Sequence, residues 1–166
     1  MRGKSFLNYW GINNCIFYSQ YDCLHTAYNK LMRKDIVKTG TIDISQLNNP
    51  PDKDELATAK YFAAQGKDIV FIRPSNIKGN FRPDFTMDGN EWEVKNPVGN
   101  GKSTINRNLH HAIEQSDHII FDLRHYRGNE DDCIAKLQKE FRLRHNIREL
   151  LIIRRNGEMI VLSKQP

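Results

Sequence analysis

Apolar residues recur along the chain at two spacings, one typical of helices and one typical of strands. Leu56, Ala59 and Ala63 share one face of a segment that Asp52 can cap and Gly66 can end, which predicts a helix to residue 65. Helical spacing also predicts helices from Ser103 or Thr104 to about 116 and over 130–145. Apolar runs between turn residues predict strands over 68–72, 82–87, 90–96, 118–123, 149–154 and 158–162. This order predicts the α/β (α+β) class, a mixed β-sheet with flanking helices.

The strongest break in this pattern is Asn48-Asn49-Pro50-Pro51, which neither a helix nor a central strand crosses easily. We therefore predict two parts, an N-terminal helical extension over 1–49 and a main domain over 50–166. Helical spacing in the extension predicts a helix around 22–34. The extension carries no chemical signal that assigns it a role.

The dipeptide Asp88-Gly89 predicts a two-residue hairpin turn between the strands over 82–87 and 90–96. In the resulting register Asp84 faces Glu93 across the hairpin. Side-chain alternation then divides the hairpin into an apolar core face (Phe85, Met87, Trp92 and Val94) and a polar face (Asp84, Glu91, Glu93 and Lys95).

Two opposed carboxylates about 5 Å apart repel each other and destabilise a hairpin. A divalent cation between Asp84 and Glu93 would remove that conflict, since hard cations bind carboxylate oxygens. Lys95, on the same face, could then orient a water molecule or stabilise a pentavalent phosphate. In the alternative interpretation this is a solvated polar face whose acids Lys95 neutralises.

The sequence around these residues resembles that of known nucleases. Pro83-Asp84, separated by eight residues from Glu93-Val94-Lys95, resembles the PD-(D/E)XK nuclease motif. The longer stretch PDFTMDGNEWEVKNPVGNGKSTINRNLHHAIEQSDHIIFDLR is similar to the C-terminal tRNase domain of CdiA-type contact-dependent growth inhibition toxins, which also occurs in polymorphic toxins. The likeness covers roughly 55–162.

The resemblance implies a toxin nuclease that acts on tRNA and is inhibited by a cognate immunity protein. It implies an αβββαβ core of PD-(D/E)XK type, followed by a C-terminal helix and hairpin. It makes Asp84 and Glu93 metal ligands and Lys95 the catalytic lysine. Such nucleases often add an acid from the first helix, and Glu55 is the candidate here. The implied cofactor is a divalent metal, Mg²⁺ first, with Mn²⁺ or Zn²⁺ as alternatives.

The segment after the hairpin suggests a place for phosphate. Residues 96–104 form a glycine-containing loop that runs into a helix N-terminus, where backbone N–H groups favour anions, although the spacing is not that of a Walker A loop. The candidate substrate-binding residues are Lys102, Ser103, Thr104, Arg107, His110 and Arg124.

Charge and composition limit the class of protein further. The net charge is +5, but residues 51–95 hold seven basic and eight acidic residues, so the middle of a basic chain is its acidic part. No apolar run approaches the roughly 18 residues of a membrane-spanning helix, and no secretory signal is recognisable. We therefore expect no membrane segment and a cytoplasmic protein, of the producing or the target bacterial cell. Three cysteines without CxxC spacing predict neither disulfides nor a cysteine zinc site.

Three alternatives to a metal-dependent tRNase stay open. A metal-independent RNase could use Lys95, Thr104, Arg107 and His110 to cut through the 2′-hydroxyl. A restriction-like DNase would use the same metal core on another substrate. A nucleic-acid-binding module would keep the scaffold without activity, although Asp84, Glu93 and Lys95 are all present.

Overall fold

The computed structural model describes residues 38–77, 79–101 and 103–164. The elements of this part of the chain are β1 (Ile42–Asp43), α1 (Lys53–Ala63), β2 (Ile69–Phe71), β3 (Phe85–Met87), β4 (Asn90–Lys95), α2 (Thr104–Ile113), β5 (His118–Asp122), α3 (Glu130–Leu143), β6 (Glu149–Ile153) and β7 (Met159–Ser163). The predicted α/β (α+β) class, with a mixed sheet and flanking helices, is confirmed. The helix predicted around 22–34 lies outside the described residues.

All seven strands form one sheet whose spatial order follows the chain order, from β1 to β7. β2, β3 and β4 pair antiparallel, as do β6 and β7, whereas β4, β5 and β6 run parallel. β1 and β2 are also parallel, so the three parallel pairs are joined through α1, α2 and α3, because a parallel connection needs a crossover.

The helices cover both faces of the sheet, so it has two apolar cores. On one face α1 contributes Ala59 and Phe62, which pack with Phe85 and Trp92 of the hairpin. On the other face α2 and α3 pack against β5 and β6; this core includes Leu109, Ile119, Leu137, Phe141 and Leu150. A strand in the middle of this sheet therefore has no solvated face.

The hairpin has the predicted register, with Phe85 paired to Trp92 and Met87 to Asn90. Asp88 has a positive φ of 52° and Gly89 one of 80°, as the predicted type of two-residue turn requires. The regular pairing ends at Phe85, three residues later than the predicted start of the strand at residue 82. Asp84 still belongs to the hairpin through its N–H, which donates to the Trp92 carbonyl at 3.0 Å.

The short strand β1 was not predicted. It pairs parallel with β2, and the Thr41 N–H donates to the Asp68 carboxylate at 2.8 Å. The compact unit that holds the described residues begins at Lys38, ahead of the domain boundary predicted at residue 50. Residues 42–43 lie on the extension side of that predicted boundary and extend the sheet.

Candidate active site

The candidate active site lies where β3 begins and β4 ends, and α2 explains why its central acid is buried. Trp92 and Val94 face the core beneath α1, so Glu93 between them faces the layer of α2. Gln115, just beyond α2, donates from Nε2 to Glu93 Oε1 at 2.7 Å. Glu93 is only 2% exposed, which contradicts the interpretation of this face as solvated.

The Glu93 carboxylate has one satisfied and one unsatisfied oxygen. Oε1 accepts from Gln115 and from the Lys95 ammonium, which forms an ion pair with it. Oε2 is buried and has no hydrogen-bond partner. A buried carboxylate oxygen without a partner is costly, and either a cation or a proton shared with the neighbouring Asp84 carboxyl would offset that cost.

Asp84 stands beside Glu93 at the start of β3. Its Oδ2 accepts from the Val94 N–H at 2.7 Å, which fixes the carboxylate against the neighbouring strand. Burial, followed by repulsion from Glu93, raises the pKa of Asp84 to about 7. Burial also raises the pKa of Glu93, although Lys95 opposes that rise. The pair thus costs free energy when both carboxyls are ionised.

Glu55 brings a third carboxyl group from α1. It lies in the first turn of the helix, whose N-cap is Asp52, with Oδ1 accepting from the Asp54 N–H at 2.8 Å. Burial, followed by repulsion from Asp84, raises the pKa of Glu55 to about 7. Glu55 and Asp84 also line the same cavity, so Glu55 lies near the hairpin acids; the catalytic role that the resemblance implies for it stays a prediction.

Two neighbouring cavities open onto Glu55, Asp84 and Lys95, whereas the buried Glu93 lines neither of them. The first, which we call the acidic cleft, has a volume of about 490 Å³; its lining includes Glu55, Asp84, Arg73, Arg82, Phe81 and Gln115. The second, the Lys95 groove, has a volume of about 280 Å³ and is lined by Phe81, Lys95, Asn108, His111, Glu114 and Gln115. Phe81 and Gln115 belong to both cavities, so the two are adjacent.

The structure places none of the predicted substrate-binding residues that it describes at the two cavities. The face of α2 towards Lys95 carries Asn108 and His111, whereas Arg107 and His110 are exposed and line neither cavity. Ser103 is the N-cap of α2 but its side chain makes no capping hydrogen bond, and Thr104 is partly buried. Lys102 lies outside the described residues.

Arg124 sits in a second charged cluster, the Asp122 cluster, formed by Asp122, Arg124, Thr58 and Asn96. Arg124 Nη2 lies 2.5 Å from Asp122 Oδ2 and also donates to the Ala57 carbonyl at 3.1 Å. Thr58 Oγ1 donates to Asp122 Oδ2 at 2.8 Å and accepts from Asn96 at 3.1 Å. The guanidinium predicted to bind substrate is therefore used to hold α1 against the end of β5.

The sequence analysis does not single out His111 and Gln115 as site residues. Their signal was the spacing of Asn108, His111 and Gln115, which places all three on the side of α2 that faces Lys95. Only the packing of α2 over β4 tells which side of the helix that is.

The comparisons with known proteins point to one class. A mixed sheet with helices on both faces defines the fold, and the family model for the contact-dependent growth inhibition CdiA C-terminal domain matches residues 81–159. The chain is similar in structure to a chain of the CdiA-CT/CdiI toxin and immunity complex from Burkholderia pseudomallei, with a TM-score of 0.51 and 17% identity. That match covers 75% of this chain and 100% of the other. A search of curated proteins found no match.

The family match includes the hairpin with Asp84, Glu93 and Lys95, together with α2, Asp122 and Arg124, but neither Glu55 nor Thr58 of α1. At 17% identity the structural similarity shows the fold alone. None of the described helices is long and apolar enough to span a membrane.

Proposed function

We propose that this chain is a toxin-type endoribonuclease that hydrolyses tRNA and is inhibited by a cognate immunity protein. The observation that carries the proposal is the unsatisfied, buried Oε2 of Glu93, beside Asp84 and Lys95 and next to an open cleft. The family match and the similarity to a toxin of a toxin–immunity complex support the toxin and the immunity partner.

The donor set suits a hard divalent cation. Asp84 and Glu93 would hold it, because ionisation of both carboxyls is costly without a positive charge and Glu93 Oε2 lacks a partner. The described residues contain no group of three His, Cys, Asp or Glu side chains arranged for a metal. Two carboxylates suit Mg²⁺, which commonly takes its other ligands from water and substrate phosphates.

A bound divalent cation would supply a Lewis acid for the phosphate and a more acidic water. The other residues have separate tasks. Lys95 places a positive charge in the groove that adjoins the cleft, where it could stabilise the negative charge that develops on the phosphate oxygens as water adds and the leaving oxygen departs. Gln115 holds Glu93 in position, and Glu55 adds acidic charge to the wall of the cleft.

The test is to incubate the protein with total tRNA and with plasmid DNA, each in Mg²⁺ and in EDTA. We expect cleavage of tRNA in Mg²⁺ only, and loss of cleavage by at least about 100-fold in Glu93→Ala, since electrostatic groups of active sites commonly contribute that much. Glu91→Ala is the matched control, because Glu91 lies on the same strand but is exposed. Mg²⁺ should also raise the melting temperature of the parent but not that of Glu93→Ala.

Each other outcome selects a different function. Cleavage of tRNA that survives EDTA would exclude the metal and point to Lys95 and His111, which line the same groove. Cleavage of DNA alone would make the protein a restriction-like DNase. Undiminished cleavage by Glu93→Ala would contradict the assignment of the site, and no cleavage of either substrate would leave a nucleic-acid-binding module.

A further inference from the structure

Phe81 is a large aromatic residue in an unusual place. Its side chain is 62% exposed, and it lies in the segment between β2 and β3, shortly before Asp84. It lines both the acidic cleft and the Lys95 groove. An exposed aromatic residue alone is unremarkable in a protein surface, but this one borders both cavities of the candidate active site.

The surroundings of Phe81 suit the backbone of a nucleic acid. Arg73 and Arg82 line the same cleft, on the segments that flank Phe81, and both are exposed. Asn76 and Asn80 add amide groups to this lining. Positive and amide groups around an exposed ring form the combination with which proteins bind single strands, where cations contact phosphates and an aromatic ring stacks on a base.

We propose that Phe81 stacks on an unpaired base of the nucleotide next to the scissile phosphate. This inference rests on the proposed nuclease function and narrows its substrate to single-stranded stretches, such as the loops or ends of a folded RNA. A base stacked within a duplex cannot present its face to Phe81 while its phosphate lies at Asp84 and Glu93. Duplexes are therefore poor substrates, and RNA recognition commonly targets such unstacked bases.

The test uses a short oligoribonucleotide containing 2-aminopurine, whose fluorescence falls when the base stacks. Binding is measured with the Glu93→Ala variant, so that the oligonucleotide stays intact, and cleavage is measured in the parent background. We expect Phe81→Ala to weaken binding about 10-fold or more and to abolish the quenching, because base–aromatic stacking contributes that much. Phe81→Tyr should retain both.

Ile77→Ala is the matched control. Ile77 is 69% exposed and lies in the same segment, but it lines neither cavity, so its removal should leave binding and quenching unchanged. A fully paired RNA duplex of the same sequence should bind and be cut at least about 10-fold less well than the single strand.

The outcomes separate this inference from the proposed function. Unchanged binding and cleavage in Phe81→Ala would overturn the stacking role while leaving the nuclease intact. A parent that cleaves nothing but binds the oligonucleotide through Phe81 would overturn the nuclease and keep the stacking role. Equal binding of duplex and single strand would overturn the inference. The inference would also be overturned if Phe81→Ala and Ile77→Ala both lost binding to a protein partner while their binding to RNA was unchanged.

Discussion

Two buried acids on neighbouring strands, Glu93 and Asp122, differ in how completely the surrounding residues compensate their charge. Each is 2% exposed. Glu93 keeps an oxygen without a partner, and burial raises its pKa. Burial alone would raise the pKa of Asp122 too, but hydrogen bonds from Arg124 and Thr58 outweigh it and hold that pKa below its ordinary value.

The difference separates an acid whose charge the described residues compensate incompletely from one that is already neutralised. Asp122 has a guanidinium, a hydroxyl and a backbone N–H around it, so its charge is compensated within the chain. Glu93 and Asp84 share a single ammonium, that of Lys95. Burial of charge therefore does not identify a functional site, whereas incomplete compensation of that charge does.

The same Asp→Asn substitution should have opposite consequences in the two clusters, and activity shows the larger effect. We expect Asp84→Asn to lower tRNA cleavage by more than about 100-fold, because even residues that only support a metal ligand contribute about 10- to 100-fold. The free energy of unfolding should not fall, since the amide oxygen can still accept from Val94 N–H and an unfavourable charge is removed. Cleavage assays and urea denaturation of the variant check both expectations.

Asp122→Asn should instead destabilise the fold. It leaves Arg124 without a carboxylate, and breaking a buried ion pair costs several kcal/mol; since the Arg124 side chain is 25% exposed, we expect about 3 kcal/mol. Activity per folded molecule should change little. Urea denaturation measures the loss, and an equal loss in Asp84→Asn would remove the distinction between the clusters.

The free energy of unfolding should also depend on pH in opposite ways through Asp84 and through Asp122. In EDTA, the Asp84 carboxyl titrates near its ordinary value of 3.8 in the unfolded chain and at about 7 in the folded protein. The folded state therefore binds the proton more tightly, so the free energy of unfolding should fall as pH rises from about 4 to about 7. The contribution of Asp122, whose pKa is lowered, is present above its unfolded value and is lost only at more acid pH.

Thermal melts at about pH 5 and about pH 8 measure this effect. The parent should melt at the lower temperature at the higher pH, and Asp84→Asn should reduce the difference. Asp122→Asn is the control, because it should lower both melting temperatures and leave their difference in place. A parent whose melting temperature is the same at both pH values would contradict the raised pKa of Asp84.

Local sequence signals predicted the hairpin, and with it the two central acids of the candidate site, Asp84 and Glu93. Asp88-Gly89 fixes the turn, and the turn fixes which residues share a face, so the nearness of Asp84 to Glu93 follows from about a dozen residues. The burial of Glu93 was not predictable in the same way. It depends on α2 lying over β4, a contact between segments that only the complete sheet brings together.

The remaining differences have similar causes. β1 is two residues long, and the alternation of Ile42, Asp43 and Ile44 is too short to predict a strand or its pairing with β2. Arg124 was predicted to bind substrate, but in the structure it forms an ion pair with Asp122. Thr58 on α1 donates to the same carboxylate, a contact between distant segments that the sequence does not indicate.

The agreement between chain order and strand order has a consequence for how the protein is made. As the chain leaves the ribosome, each new strand finds its neighbour in the sheet already synthesised, so no strand has to wait for a distant partner. Contacts between strands close in sequence also favour rapid refolding. Gln115 is the last residue of the candidate active site to be synthesised, before any of β5, β6 and β7, yet the Asp122 cluster that ties α1 to the sheet forms only after β5 has joined.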